Sequence, residues 1–358
     1  MSVKKRIKNA IIDFNVWYQK KWLEKYEDKK IDKKKHIWEN IELSEEEISA
    51  IRKIYGPDVD VRWHRYFASF TGNVDPKYLP EKLYSAKLEW IINPYRLCKE
   101  LEDKALLSTL FGKVEGLRIP KTIVCKTYGN MVDTEGNLLT EAQSFELIED
   151  YLQKDGKAIL KPTRDTSSGQ NVEIITVDDY LERIKKHHDD FIVQEVVVNQ
   201  QDIKCLNPSS LNTFRVMTYI CNSQFNVAPI LLRMGVGDHV VDNAHAGGIF
   251  VGVENDGRLL PEAYSEYGDR YRTHPYTKIV FNGYRIDGME KIINVSIRCH
   301  QQLPQLGMIS WDFTLDQTGT PVLVEANLFG QSVWLPQIAH GKSIFGDNTI
   351  AMLRKIAD

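Results

Sequence analysis

Two carboxylates and one amide, Asp312, Glu325 and Asn327, stand in the stretch "ISWDFTLDQTGTPVLVEANLFG" (309–330) among apolar neighbours. Runs rich in Val, Leu, Ile, Phe and Trp flank the turn-forming Gln317-Thr318-Gly319-Thr320, a pattern that predicts a β-hairpin. With those residues as the loop, Asp316 faces Pro321 and Asp312 falls opposite Glu325. Side chains two apart on a strand share a face, so Glu325 and Asn327 point one way, joined by Asp312 from across the ladder. Carboxylates held that close repel, and both stay ionised when a cation sits between them. An all-oxygen donor set suits Mg²⁺ rather than zinc. The stretch alone is equally compatible with an exposed hairpin face carrying two unrelated acids.

A second stretch, "KAILKPTRDTSSGQNVEII", delivers Lys161 at the end of an apolar strand, ahead of a turn containing Thr166, Ser167, Ser168 and Gly169. A lysine beside a loop of small residues can hold phosphate oxygens, because Ser and Gly let backbone N–H groups approach while the ammonium supplies charge. It is not a P-loop, since the lysine precedes the loop; a hairpin with a surface lysine gives the same pattern. Further on, "FIVQEVVVNQ" reads as a strand running into a short connector whose backbone can meet an adenine edge between flanking valines. Taken singly it is a buried strand with a polar interruption.

These residues need elements to position them. Residues 1 to about 100 read as mostly helical, including "SEEEISAIRKIY" with Ser44 as N-cap and Glu47 completing a capping box. Strands are predicted at 121–126, 157–161, 171–176 and 191–198, with helices at about 140–154 and 177–188 between them. From about 211 the chain is strand-rich through "TFRVMTYICN", "NVAPILLRMGV", "GGIFVGV" and the hairpin, with a helix near 287–304. The expected class is α+β: a helical, basic region (1–103), a small lobe (104–197) and a large lobe with the metal site (198–358).

The 358 residues have the apolar and charged fractions of a soluble globular protein, and no apolar run reaches the roughly 20 residues that span a bilayer. A cytoplasmic setting is expected. Cys98, Cys125, Cys205, Cys221 and Cys299 are scattered and form no C-x-x-C pair, so they read as buried thiols. The net charge of −3 hides an asymmetry, because residues 1–36 carry twelve Lys/Arg against five Asp/Glu. In that segment Ile11, Phe14, Tyr18, Trp22 and Tyr26 recur at near-helical spacing before the cluster "KKIDKKKH". The favoured reading is a helix packed on its own domain with a solvated lysine face; the other is peripheral contact with an anionic membrane or a glycosyltransferase assembly. One short basic run with no recognisable module gives no support for nucleic-acid binding.

The order "LEDKALLSTLF…LRIPKTIV", "ILKPTRDTSSGQNV", "IVQEVV", "WDF…VLVEAN" resembles the ATP-grasp superfamily, with the nearest motif match to D-alanyl-D-alanine ligase and glutamate-ligating enzymes. The resemblance covers about residues 100–345 and implies an ATP-grasp fold of two α+β lobes clamping ATP. It implies phosphate-binding lysines at Lys104 and Lys161 and a phosphate-covering loop at Ser167, Ser168 and Gly169. The adenine hinge falls on Gln194, Glu195 and Val197, and the Mg²⁺ ligands on Asp312, Glu325 and Asn327. For the ribose-binding acid Gln200, Gln201 and Asp202 are candidates, of which Asp202 alone is charged. "HRYFASFTGNVDPKYLPEKLY", "SSLNTFRVMTYI" and "VLVEANLFGQSVWLPQ" look like the sugar-transfer-associated ATP-grasp proteins, which implies a setting in polysaccharide or cell-envelope biosynthesis.

The activity implied is transfer of a phosphoryl group from ATP to a carboxylate, followed by attack of an amine on the acyl phosphate. Arg215 and Arg233 are the candidates for steadying the transferred charge, since a guanidinium forks onto phosphate or carboxylate oxygens. "DNAHAGGIFVGV" resembles the Asn and Gly-Gly that glutamate-ligating enzymes set beside the acyl phosphate, giving Asn243, Gly247 and Gly248. His245 and His64 are weaker candidates. The substrates expected are small carboxylates and amines, sugar-linked in this setting. A kinase on the same fold and a non-catalytic nucleotide-binding module remain alternatives.

Overall fold

Element ends follow local side-chain chemistry. The Ser44 hydroxyl accepts the Glu47 N–H at 3.2 Å while the Glu47 carboxylate accepts the Ser44 N–H at 2.7 Å, opening the helix Glu45–Tyr55 as the sequence predicts. Thr140 and Gln143 form a second capping box on Glu141–Asp155. Between 81 and 111 the helical stretch is broken: Glu81–Leu83 runs through a π turn, Tyr84–Leu88, into Glu89–Ile92 and then reaches Pro94. It resumes as Tyr95–Leu101, a 3₁₀ turn Lys104–Leu106 and a short helix Leu107–Phe111. The first helix, α1, spans Val3–Lys33. The computed structural model describes residues 3–164, 171–187, 189–237 and 247–357.

Two antiparallel sheets follow. The smaller has six strands, β1 (Thr122–Thr127), β2 (Asn130–Val132), β3 (Leu138–Leu139), β4 (Ala158–Pro162), β5 (Glu173–Ile175) and β6 (Phe191–Glu195), in the order β3-β2-β1-β6-β4-β5. The larger takes β7 (Thr213–Cys221), β8 (Gln224–Val227), β9 (Ile230–Met234), β10 (Ile249–Val253), β11 (Leu259–Ser265), β12 (Arg270–Tyr271), β13 (Met308–Leu315) and β14 (Pro321–Asn327). Its order is β12-β11-β10-β9-β7-β13-β14, with β8 paired to β7. The short strands β2, β3 and β12 are absent from the sequence reading, because two or three residues carry no measurable alternation.

The main core lies under the large sheet, where Phe214, Trp311 and Phe313 meet the helix Met289–His300 through Ile292, Val295 and Cys299. Leu107, Phe111 and Val114 belong to this core, with the Phe111 ring edge-on to Trp311 at 5.3 Å. Residues 104–114, read from sequence as the start of the small lobe, therefore pack with the large one. The helical region is equally committed to the large sheet: Trp63, Tyr66, Phe67 and Phe70 pack with Leu231, Phe250, Tyr264 and Trp334. His64 is fully buried beside Tyr55, and burial pushes its imidazole down to about 4, so it is a neutral core residue and not an acceptor ligand. The aromatic residues of α1 correct the sequence reading too: Phe14, Trp17, Tyr18, Trp22 and Tyr26 face outward. Among the described residues no helix is long and apolar enough to cross a membrane.

One loop ties the helical region to the end of the hairpin. After Asn327, the Leu328 and Phe329 N–H groups donate to Glu102, Gly330 and Gln331 to Glu89, and Val333 to Glu81 at 3.0 Å. Asn93, fully buried, adds bonds to the Leu328 and Met308 carbonyls and to the Gly307 and Met308 N–H groups. Backbone donors without ladder partners are thus capped by side chains instead of water. Burial is the main cause that pushes Glu89 up to about 8 and Glu81 up to about 7. The unfolded chain releases these protons near 4.5, so between pH 5 and 8 the folded state binds more protons and stability falls as pH rises. Thermal unfolding across that range should show this decline, and Glu89→Gln should flatten it. An unchanged slope in the variant would remove Glu89 as its source.

Candidate functional site

The hairpin carries the site. Asp312 lies opposite Glu325 and Ser310 opposite Asn327, as the spacing predicts, but by a different path. Leu315, not Asp316, faces Pro321, and a β-bulge between Asp312 and Phe313 restores the register at the site. Asp316 instead caps the turn, its Oδ1 accepting the Thr318 and Thr320 N–H groups at 3.0 and 3.1 Å.

No external cation is needed to keep the two acids apart. Asp312, 4% exposed, is held by Arg215 from its pairing partner strand β7 (Nε–Oδ1 2.7 Å) and by Arg233 from β9 (Nη2–Oδ2 3.0 Å). Thr213, paired with Arg233 across the ladder, accepts a bond from the same Nη2 at 2.8 Å and fixes that guanidinium. Glu325, more open at 28%, is held by Lys104 Nζ at 2.8 Å. Lys104 reaches it from the 3₁₀ turn, whose N-cap Asp103 accepts the Ala105 N–H; the Lys104 N–H meanwhile donates to the Thr163 carbonyl, just past β4. Lys104 therefore bridges the small sheet, by its backbone, and the large sheet, by its side chain.

Lys161, on β4, is 6% exposed. Burial, and next the nearness of Lys104, pull its ammonium down to about 8, with Glu325 opposing. Two lysines and two arginines thus converge on two acids and an amide. The Asn327 Nδ2 donates to the Ser310 carbonyl at 3.5 Å, which leaves its amide oxygen for a cation. Among the described residues no group of three His, Cys, Asp or Glu could hold a metal. Two carboxylates and an amide oxygen fit Mg²⁺ completed by phosphate oxygens, and not a closed zinc centre.

These groups line one cleft of about 1180 Å³ between the sheets. Ile159, Val172 and Ile174 of the small side, Val324 of β14 and the connector Val196–Val198 supply apolar lining to this cleft, a surface suited to a flat ring. Val197 is part of this surface as expected, while Gln194 and Glu195 serve it differently. The Gln194 amide reaches the Pro120 carbonyl and Thr122 hydroxyl at 3.3 Å, and the Glu195 N–H is taken by the Lys121 carbonyl. The Glu195 carboxylate pairs with Arg118, which also holds Asp316 at 3.0 Å, so it latches the hinge to the hairpin turn while the residue lines the cleft. The Asp202 carboxylate accepts the Asp287 N–H at 2.9 Å, and Asn199 and Lys204 line the cleft. Gly247, at φ +91°, and Gly248 lead into β10. Ser167, Ser168, Gly169, Asn243 and His245 lie outside the described residues.

The sequence reading missed the far wall. Glu27 and Lys30 of α1 and Lys34 just after it line the same cleft, with Lys34 Nζ 3.2 Å from Glu266 and 5.1 Å from the Trp334 ring. Helical spacing shows that residues 27, 30, 31 and 34 share a face, but not what that face meets. Arg118 and the acids Glu81, Glu89 and Glu102 were given no role by any motif.

Replacing Asp312 by Asn removes the carboxylate that the Arg215 and Arg233 guanidinium groups share and should destabilise the fold by up to about 3–5 kcal/mol in chemical denaturation. A cost within about 0.5 kcal/mol would mean that the ion pairs contribute nothing. For Lys161 the sign is opposite. The ordinary value of 10.5 is lowered to about 8, so below pH 8 the folded state bears a buried charge whose cost fades as pH rises from 8 to 10.5. Lys161→Met should stabilise the ligand-free protein at pH 7, by on the order of 3 kcal/mol at most, while abolishing nucleotide binding measured by calorimetry. Wild-type affinity should weaken as pH climbs through about 8; a flat profile would remove Lys161 from the phosphate site.

Comparison with protein families matches residues 83–351 to the sugar-transfer-associated ATP-grasp family. Comparison with curated protein sequences finds no match. Similar solved structures include the VanG D-Ala:D-Ser ligase of Enterococcus faecalis, at 14% identity over 73% of this chain and 61% of that one, TM-score 0.43. The ATP-grasp ligase PsnB shows 12% identity over 75% and 62%, TM-score 0.43, and an N5-carboxyaminoimidazole ribonucleotide synthetase 12% over 64% and 45%, TM-score 0.40. The chain thus spans 45 to 62% of the length of these structures. On the family match, which takes in the hairpin, both lysines and both arginines, the chain belongs to the sugar-transfer-associated ATP-grasp family.

Proposed function

We propose that this protein is a Mg-ATP-dependent carboxylate–amine ligase acting through an acyl phosphate, joining an amine to a carboxylated sugar or related precursor of a polysaccharide or cell envelope. The observation that supports this best is the convergence on one cleft of Lys104 and Lys161 with Asp312, Glu325 and Asn327 and with Arg215 and Arg233. The family's association with sugar transfer supports the sugar-linked class of substrate.

In this reading Lys104 and Lys161 hold phosphate oxygens, and Asp312, Glu325 and Asn327 hold Mg²⁺, which when bound offsets phosphate charge. Arg215 and Arg233, fixed on adjacent strands, present N–H groups to the acceptor carboxylate and keep it in line with the γ-phosphorus. A carboxylate oxygen bonds to that phosphorus as the bond to ADP breaks. The amine then bonds to the acyl carbon, phosphate leaves with the bonding electron pair, and the amine proton passes to solvent. The arginines stay opposite the oxygen that carries negative charge in this second step.

The test is nucleotide turnover with Mg²⁺ and hydroxylamine across amino acids, uronic acids and nucleotide-linked sugar acids, resolving ADP from AMP. ADP together with a hydroxamate from one acid is expected, and Asp312→Asn should lose both. ADP with a phosphorylated hydroxyl and no hydroxamate would replace the ligase with a kinase; AMP would overturn the acyl phosphate.

A further inference from the structure

Residues 14–33 of α1 contain five aromatic residues, six lysines and no arginine. Phe14, Trp17, Tyr18, Trp22 and Tyr26 are each three or four positions from another of the set and are 61, 54, 60, 54 and 48% exposed. Lys21, Lys25 and Lys29 are exposed on the same stripe. The Phe14 and Trp17 rings stack at 5.8 Å and those of Trp22 and Tyr26 at 5.2 Å, so the apolar surface is grouped along roughly 18 Å of helix. Single exposed aromatics are ordinary on a protein surface; a contiguous row marks a contact.

Three of the four acids of the same segment are held off the stripe, and the fourth, Glu24, pairs with Lys21 on it. Glu24 is held by Lys21 at 2.6 Å, Glu27 by Lys30 at 3.6 Å, Asp28 by Arg62 and Lys82 at 2.9 and 2.8 Å, and Asp32 by Arg62 at 2.5 Å. The outward face is left aromatic and cationic. Protein–protein interfaces enrich arginine and deplete lysine, whereas tryptophan and tyrosine settle at the headgroup level of a bilayer and lysine stems reach up to its phosphates. Rings and lysines share one face here, which suits contact at that depth and not immersion. The stripe also ends at the site, since Tyr26, Lys29 and Lys33 line the cleft mouth.

We infer that the Phe14–Lys29 face of α1 docks on an anionic phospholipid surface, so that the cleft opens beside the bilayer. The docking needs no particular chemistry in the cleft, and its failure would leave the ligase reading untouched.

The full chain is sedimented with phosphatidylcholine vesicles containing about one third phosphatidylglycerol, and with phosphatidylcholine alone. Binding to the anionic vesicles at low salt is expected, weakening at high salt as the lysine contribution is screened. A Trp17→Ser/Trp22→Ser variant should bind at least about tenfold less, because two buried indoles are lost, while keeping its unfolding temperature. No binding at low salt, or equal binding by the variant, would overturn the inference. So would a wild-type dimer in sedimentation velocity that the variant dissolves, which would assign the face to a second copy of the chain.

Discussion

Two carboxylates facing one another across an antiparallel ladder repel, and the fold around them is arranged to supply the opposite charge. Asp312 takes its cations from β7 and β9, and Glu325 takes its cation from the 3₁₀ turn at Lys104. Each partner comes from a separate element, so the charge balance fixes the register of the large sheet and the placement of the turn together. Such clusters cost solvation and hold firm only when every member is paired. On the function proposed above, the same cations that satisfy the acids in the ligand-free protein would turn to phosphate, and the cleft would be a place where counter-ions are exchanged.

The helical region is part of this machinery. Glu81, Glu89, Glu102 and Asn93 hold the backbone that follows Asn327, while Trp63, Tyr66 and Phe67 pack under the large sheet. The orientation of Asn327 therefore depends on residues more than two hundred positions earlier in the chain. Burial raises the affinity of Glu81 and Glu89 for protons, so the grip on the loop carries an electrostatic cost at neutral pH that packing must offset.

Much of this was legible in the sequence because it is local. The capping box at Ser44, the apolar runs of β7, β13 and β14, and the spacing of Asp312, Glu325 and Asn327 are each set within one short stretch of chain. The register at the site was read correctly although the turn was not: a loop one residue longer, closed by Leu315 and Pro321, and a bulge near Val324 are one-residue departures that cancel. Long-range pairings left no local trace. Glu195 pairs with Arg118 and Asp202 with the Asp287 backbone, partners 77 and 85 positions away in the chain, a fact of tertiary placement. The aromatic spacing of α1 identified a face, but whether protein or solvent meets it depends on how the helix lies.

β14 carries two of the three candidate metal residues and is the last strand of its sheet, a position that ordinarily leaves a row of ladder groups open to other chains. Arg118 closes that row: its N–H donates to the Pro321 carbonyl and its carbonyl accepts the Leu323 N–H, forming a parallel bridge with Val322. Further along, Lys104 covers Glu325 and Glu102 takes the amides that follow. The strand can thus face an open cleft with its side chains while its backbone is withheld from strand addition, and a site built at a sheet margin is kept from becoming a seed for aggregation.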